Sequence, residues 1–189
     1  MDFENDIQEC LTALKSGGII LYPTDTIWGI GCDATNAKAV EKIFQLKKRP
    51  DEKAMIVLVA DERDVLKYVA HADLRVFDYL DQHQQPVTVV YEGAIGLADN
   101  LIGKDGSVAI RICKDEFCKH LIKRFRKPIV STSANISGQT PPATFDAITD
   151  EIKSAVDYIV KHRQDDQRKA SPSKVIRWNK DATVTVLRP

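Results

Sequence analysis

The sequence predicts an α/β fold, an open, twisted, mixed sheet flanked by helices, on the strength of three observations. Stretches with apolar residues three and four apart alternate with short runs rich in Val and Ile, the patterns of helices and buried strands. The last of those runs follow one another without full helical crossovers, so parallel and antiparallel pairings must mix. No internal repeat or low-complexity tract breaks the pattern, and residues 1–189 are expected to form one domain.

Each element has a local cause. Ile7, Leu11 and Leu14 repeat at helical spacing, and Gly17-Gly18 ends that helix. The apolar run 19–22 reads as a short strand stopped by Pro23. Asn36 can cap a helix whose apolar face is Val40, Ile43 and Phe44, running out in Lys47-Lys48-Arg49 before Pro50. The run 55–60 is a strand buried on both faces. Asp61 opens a helix through Val65, Leu66 and Val69, and another carries Leu74, Phe77 and Leu80. Strands are expected at 87–91 and 107–112, joined by a long loop holding Gly93, Gly96, Gly103 and Gly106. Asp115 starts a helix with Phe117, Leu121, Ile122 and Phe125 inward and Lys119, Lys123, Arg124 and Arg126 outward. A strand at 128–135 runs into a turn-rich stretch and a helix near 144–155; closing strands follow at 158–160, 173–178 and 183–187. The polar segment 161–173 reads as a mobile flap.

The apolar fraction of 43% supports a sizeable core without metals or disulfides. Twenty-seven basic residues balance twenty-seven acidic ones, which removes any global attraction to nucleic acid or membrane and leaves anion binding to local clusters. The first ten residues lack a signal-peptide apolar region, and no run approaches the ~20 apolar residues of a membrane helix. Cys10, Cys32, Cys113 and Cys118 have no zinc-site spacing and read as free, mostly buried thiols. A cytoplasmic protein with no membrane contact and no protein-held metal is expected.

Three segments carry chemistry. In LYPTDTIWGIG, 21–31, a strand ends in two hydroxyls beside Gly29 and Gly31; strand ends are favoured ligand sites, while Thr-Asp-Thr is equally an ordinary side-chain-braced turn. In LKKRPDEKAM, 46–55, Pro50 breaks the helix so that Lys47 and Arg49 can be aimed together, with Lys53 as a third cation. A lysine point charge and an arginine fork suit a triphosphate, although a solvated basic helix end explains the local pattern better. In PIVSTSANISG, 128–138, an apolar strand breaks into Ser131, Thr132, Ser133 and Asn135. Hydroxyls, an amide and free backbone N–H groups there favour an oxyanion cradle. Arg111 shares a strand face with Ala109, opposite Ile110 and Ile112. A guanidinium so placed needs an anion, either a protein carboxylate or that of a substrate. Arg188, taken alone, reads as solvated.

Together, YPTDTIWGIG, then Lys47-Lys48-Arg49-Pro50, then VAIRI, then STSANISG resemble, in order and spacing, the YrdC-like family of threonylcarbamoyl-AMP synthases. The resemblance runs from about Ile7 to Arg188. It implies a concave basic cleft in which Lys47, Arg49, Ser133 and Asn135 hold ATP phosphates as the catalytic set. Lys53, Ser107, Pro141 and Arg188 would join the nucleotide side, and Thr26, Arg111, Ser131 and Ser173 the threonine side. It further implies ATP with Mg²⁺, L-threonine and bicarbonate as reactants, and tRNA-modification proteins as recipients of the product. The sequence departs from the family in having His83-Gln84-Gln85-Pro86 where Trp-Pro-Gly-Pro is common, Lys53 for Asn and Leu58 for His.

The implied chemistry is an N-carboxylated threonine attacking the α-phosphorus of ATP and expelling pyrophosphate. Cations and N–H donors must then bring two anions together without reacting themselves. Two rival readings share the cleft. One is a YciO-like paralogue, favoured by the altered 83–86 segment. The other is an RNA-binding or ribosome-maturation protein, whose support is the basic face of Lys119, Lys123, Arg124 and Arg126.

Overall fold

The computed structural model of the chain describes residues 3–48, 55–168 and 170–189; Arg49, Pro50 and Lys53 lie outside them. Helices α1 (Glu4–Lys15), α2 (Ala37–Lys47), α3 (Glu62–Tyr68), α4 (Arg75–Asp81), α5 (Glu116–Phe125) and α6 (Asp150–Lys153) surround one mixed sheet. Its strands are β1 (Ile20–Tyr22), β2 (Gly29–Gly31), β3 (Ile56–Val59), β4 (Val87–Tyr91), β5 (Val108–Ile112), β6 (Ile129–Ser133), β7 (Tyr158–Ile159), β8 (Lys174–Trp178) and β9 (Val184–Arg188). They run in the order β7-β1-β2-β6-β3-β5-β4-β8-β9.

Three expected helix starts are made by the expected side chains. Asn36 accepts from the N–H groups of Lys38 and Ala39, Asp61 from that of Asp64, and Asp115 from that of Cys118. On α5 the inward residues Phe117, Leu121, Ile122 and Phe125 are all buried, while Lys123, Arg124 and Arg126 are exposed. The two short helices depart from expectation, since Leu66 is 45% and Leu74 61% exposed. Helix α3 buries Val65, and α4 buries Val76 and Phe77. The helix expected near 144–155 is confined to α6. Phe145 packs its ring 4.9 Å from that of Trp28, and the chain around it turns instead, with Ile148 donating to the Phe145 carbonyl at 3.1 Å.

Strand β2 is the larger surprise, because its glycines read as flexible backbone. A Cβ at Gly31 would stand 2.4 Å from the Val130 carbonyl oxygen and 2.7 Å from Tyr22 Cε1. Glycine therefore lets β2 slot between β1 and β6, pairing antiparallel with both. The Tyr22 hydroxyl crosses beneath to donate to Val130 O at 2.9 Å.

Register places the site. Ile56 of β3 lies opposite Ala109 of β5 and Ser131 of β6, Leu58 opposite Arg111, and Gly29 opposite Ser133. Residues directly opposite share a face, so Gly29, Ile56, Ala109, Arg111, Ser131 and Ser133 line one side of the sheet. Helices α3 and α5 pack against β3, and the alternate residues Val57, Val59, Ile110 and Val130 are fully buried. All four cysteines are buried and unpaired. Among the described residues no helix is long and apolar enough to cross a membrane.

Candidate active site

On the open sheet face lies a cavity of about 340 Å³. Thr26, Arg111, Ser131, Ser133, Pro141, Ser173 and Arg188 all line it, with Trp28, Met55, Val90 and Leu187 among the apolar walls. Strands β5 and β6 supply Arg111 and the serines by their period-2 alternation. Thr26 comes from the β1–β2 turn, and Ser173 and Arg188 come from the far edge.

The turn is braced by hydroxyls. Thr24 Oγ1 donates to the Ile27 carbonyl at 2.8 Å and accepts the Thr26 N–H at 3.0 Å. The side-chain-braced turn and the cavity wall are thus one structure. Opposite, Ser173 is buried, its hydroxyl 2.8 Å from that of Thr88. Its carbonyl accepts from Arg188 Nε at 3.1 Å and Nη2 at 2.8 Å. Arg188, expected from its local pattern to be solvated, is therefore anchored. Partial burial, and then the nearby charge of Arg111, push its guanidinium pKa down.

Arg111 is the most buried charge in the cavity wall, its side chain only 3% exposed. Its protein anion is Asp25, with Nη2 3.1 Å from Oδ1. Neither of those atoms, nor Arg111 Nε, makes an aligned hydrogen bond. Both nitrogens are buried, while the residue as a whole borders the cavity.

Lys47 and Asn135 sit beneath the cavity rather than on its wall. The Lys47 side chain is buried and its ammonium donates to the carbonyls of Ser133 and, at 2.6 Å, Asn135. The Lys47 carbonyl in turn accepts the Ser137 N–H at 2.9 Å. Asn135 Nδ2 donates to Ile136 O and Gln139 O, both at 2.9 Å, and Gly138 follows with φ +89°. These contacts hold the Ser-rich segment as a shaped loop whose carbonyls point inward to the cation. Ser107 stands apart from the wall, its hydroxyl donating to Asp105 at 2.6 Å in a tight turn. Arg49 and Lys53 lie outside the described residues.

Sequence reasoning overlooked Asp25 and Thr88. Asp25 was hidden inside a segment read for its hydroxyls, and Thr88 was signalled only as a lone hydroxyl in an apolar strand. Leu58 is wholly buried beside Arg111. The 83–86 segment is tied in by Lys114, whose ammonium donates to the carbonyls of His83 at 2.7 Å and Gln84 at 3.4 Å. The base of the 161–173 segment is also held. Asp6 accepts the Tyr158 hydroxyl and the Lys161 and His162 N–H groups. Arg163 donates to Asp115 at 2.7 Å and to the Thr24 carbonyl at 3.3 Å.

A family model, Sua5_yciO_yrdC (telomere recombination), matches residues 12–189. The threonylcarbamoyl-AMP synthase of Photobacterium profundum is 35% identical over 151 residues, covering 78% of this chain and 82% of that protein. That of Idiomarina loihiensis is 36% identical over 152 residues, covering 79% and 81%. Among solved structures, P. abyssi Sua5 complexed with L-threonine superposes with a TM-score of 0.86 at 23% identity, covering 98% of this chain and 54% of that one. E. coli YciO gives 0.82 at 22% identity, covering 97% and 88%; at such identities these two likenesses speak for the fold.

Proposed function

The chain belongs to the Sua5/YciO/YrdC family, and from that premise we propose that its cleft synthesises threonylcarbamoyl-AMP, the activated precursor of a tRNA modification. The carrying observation is Arg111, a buried guanidinium paired with Asp25 that borders a hydroxyl-lined cavity. L-Threonine enters with its carboxylate on Arg111, among the hydroxyls of Thr26, Ser131 and Ser173. ATP lies towards Ser133, Pro141 and Arg188, with Arg49, Lys53 and Ser107 on the nucleotide side. Lys47 and Asn135 hold the shape of the loop that meets the phosphates.

The reaction is a nucleotidyl transfer. Bicarbonate adds to the free threonine amine, and water leaves as the N-carboxylate forms. One oxygen of that carboxylate bonds to the α-phosphorus, and the bond to the pyrophosphate oxygen breaks. No side chain forms a covalent bond, so the protein contributes positioning and charge stabilisation. Mg²⁺ brought with the ATP would supply neutralisation of phosphate charge. No three His, Cys, Asp or Glu side chains among the described residues group to hold a metal. Proteins that carry threonylcarbamoyl to tRNA in the cytoplasm receive the product.

Incubation with ATP, L-threonine and bicarbonate tests this. Pyrophosphate and the mass of threonylcarbamoyl-adenylate are expected, both lost when threonine is omitted. Arg111→Ala and Arg49→Ala should each lower kcat/KM by ~100-fold, the scale of one preorganised donor. Pyrophosphate release indifferent to threonine would overturn the reading in favour of another acceptor, as in a YciO-like paralogue.

A further inference from the structure

We propose that Asp25 is the positioning residue of the threonine-carboxylate subsite, acting through Arg111. The inference rests on the functional reading above. Asp25 does not line the 340 Å³ cavity; it stands behind Arg111, its side chain 8% exposed. Its two oxygens have different tasks. Oδ2 accepts the Lys114 N–H at 3.0 Å, and Lys114 is itself pinned by its ammonium on the His83 and Gln84 carbonyls. Oδ1 lies 3.1 Å from Arg111 Nη2. The carboxylate is thus fixed from behind and sets the position of the guanidinium in front of it.

Charge gives a second reason. Arg111 and Arg188 border the same cavity, and after burial the charge of Arg111 further lowers the Arg188 guanidinium pKa. Two cations sharing one wall repel, and a buried unpaired guanidinium is unfavourable. Asp25 supplies the negative charge that lets Arg111 stay buried and directed. The ion pair engages Nη2, one arm of the fork, at 3.1 Å. The 83–86 segment, where this chain departs from the family pattern, thereby reaches threonine through Lys114, Asp25 and Arg111.

Steady-state kinetics of the wild type, Asp25→Asn, Arg111→Gln and the double variant test the proposal. Asp25→Asn should raise the threonine KM by ~10- to 100-fold, the scale of a misplaced binding group, and leave the ATP KM unchanged. In the Arg111→Gln background the same change should add less than about twofold, since its route is already removed. A threonine KM that is unchanged or lower in Asp25→Asn overturns the proposal. So does a parallel rise in the ATP KM, or an undiminished effect in the Arg111→Gln background. Should Asp25→Asn alone fail to fold, the double variant, which buries no unpaired charge, is compared with Arg111→Gln. Equal threonine kinetics support the role, and a further loss overturns it. Should the wild type make no product, the synthase reading fails separately, and the four proteins are titrated with L-threonine by calorimetry. Affinity that depends on Asp25 only when Arg111 is present sustains the positioning role; absent or Asp25-independent binding overturns it.

Discussion

Lys47 illustrates how a buried cation can hold a loop in shape through backbone carbonyls. Its ammonium gathers carbonyls from residues 86 and 88 positions away and so fixes the Ser-rich segment that borders the cavity. Lys47→Met keeps the side-chain volume but strands two buried acceptors. It should destabilise the protein by about 2–4 kcal/mol, read as a lower thermal midpoint. The Lys-x-Arg pattern marked this helix end as basic, but the carbonyl partners come from distant sequence and no local rule names them. Arg111 divides the same way. Period-2 alternation puts it on the face of Ala109, as observed, while its protein anion, Asp25, is chosen by the fold alone.

Elements were legible where their causes are local. Asn36, Asp61 and Asp115 cap helices because a short oxygen-bearing side chain reaches the next turn's N–H groups whatever the tertiary context. The apolar stripe of α5 needed only its own spacing. Strand β2 was illegible because Gly-Ile-Gly carries no strand preference; it is a strand because β1 and β6 approach from both sides. Gly31→Ala tests that cause. Its Cβ would meet backbone oxygen at 2.4 Å, and a carbonyl cannot swing away as a flexible side chain can. A loss of about 1–3 kcal/mol is expected, seen as a lower urea midpoint with the m-value unchanged. The helix expected near 144–155 failed for a tertiary reason also, since Phe145 packs on Trp28.

For the molecule as a whole, the mixed sheet was foreseeable from the crowding of strands near the C-terminal side, but the order of the nine strands among the described residues was not. Pairing partners depend on which connections cross the sheet, and short apolar runs carry no address. The balanced charge has a consequence at this scale. Carboxyls of Asp73 and Asp166 are held well below their usual range, chiefly by side-chain hydrogen bonds from Arg75 and Arg168, and Asp105 is lowered by Ser107. A depressed folded pKa stabilises fully above the unfolded value, near ~3.9, and the contribution fades as protons bind the folded state. Thermal midpoints measured from pH 7 downwards should therefore stay level to about pH 5 and drop below pH 4, the drop shrinking at high salt. The cavity wall also has a temporal side. Thr26 is synthesised long before Ser173 and Arg188, yet all three border the same hollow. A nascent polypeptide must carry a half-built pocket from the emergence of Thr26 until Arg188 follows, so the hollow can be completed only once β8 and β9 have emerged and docked.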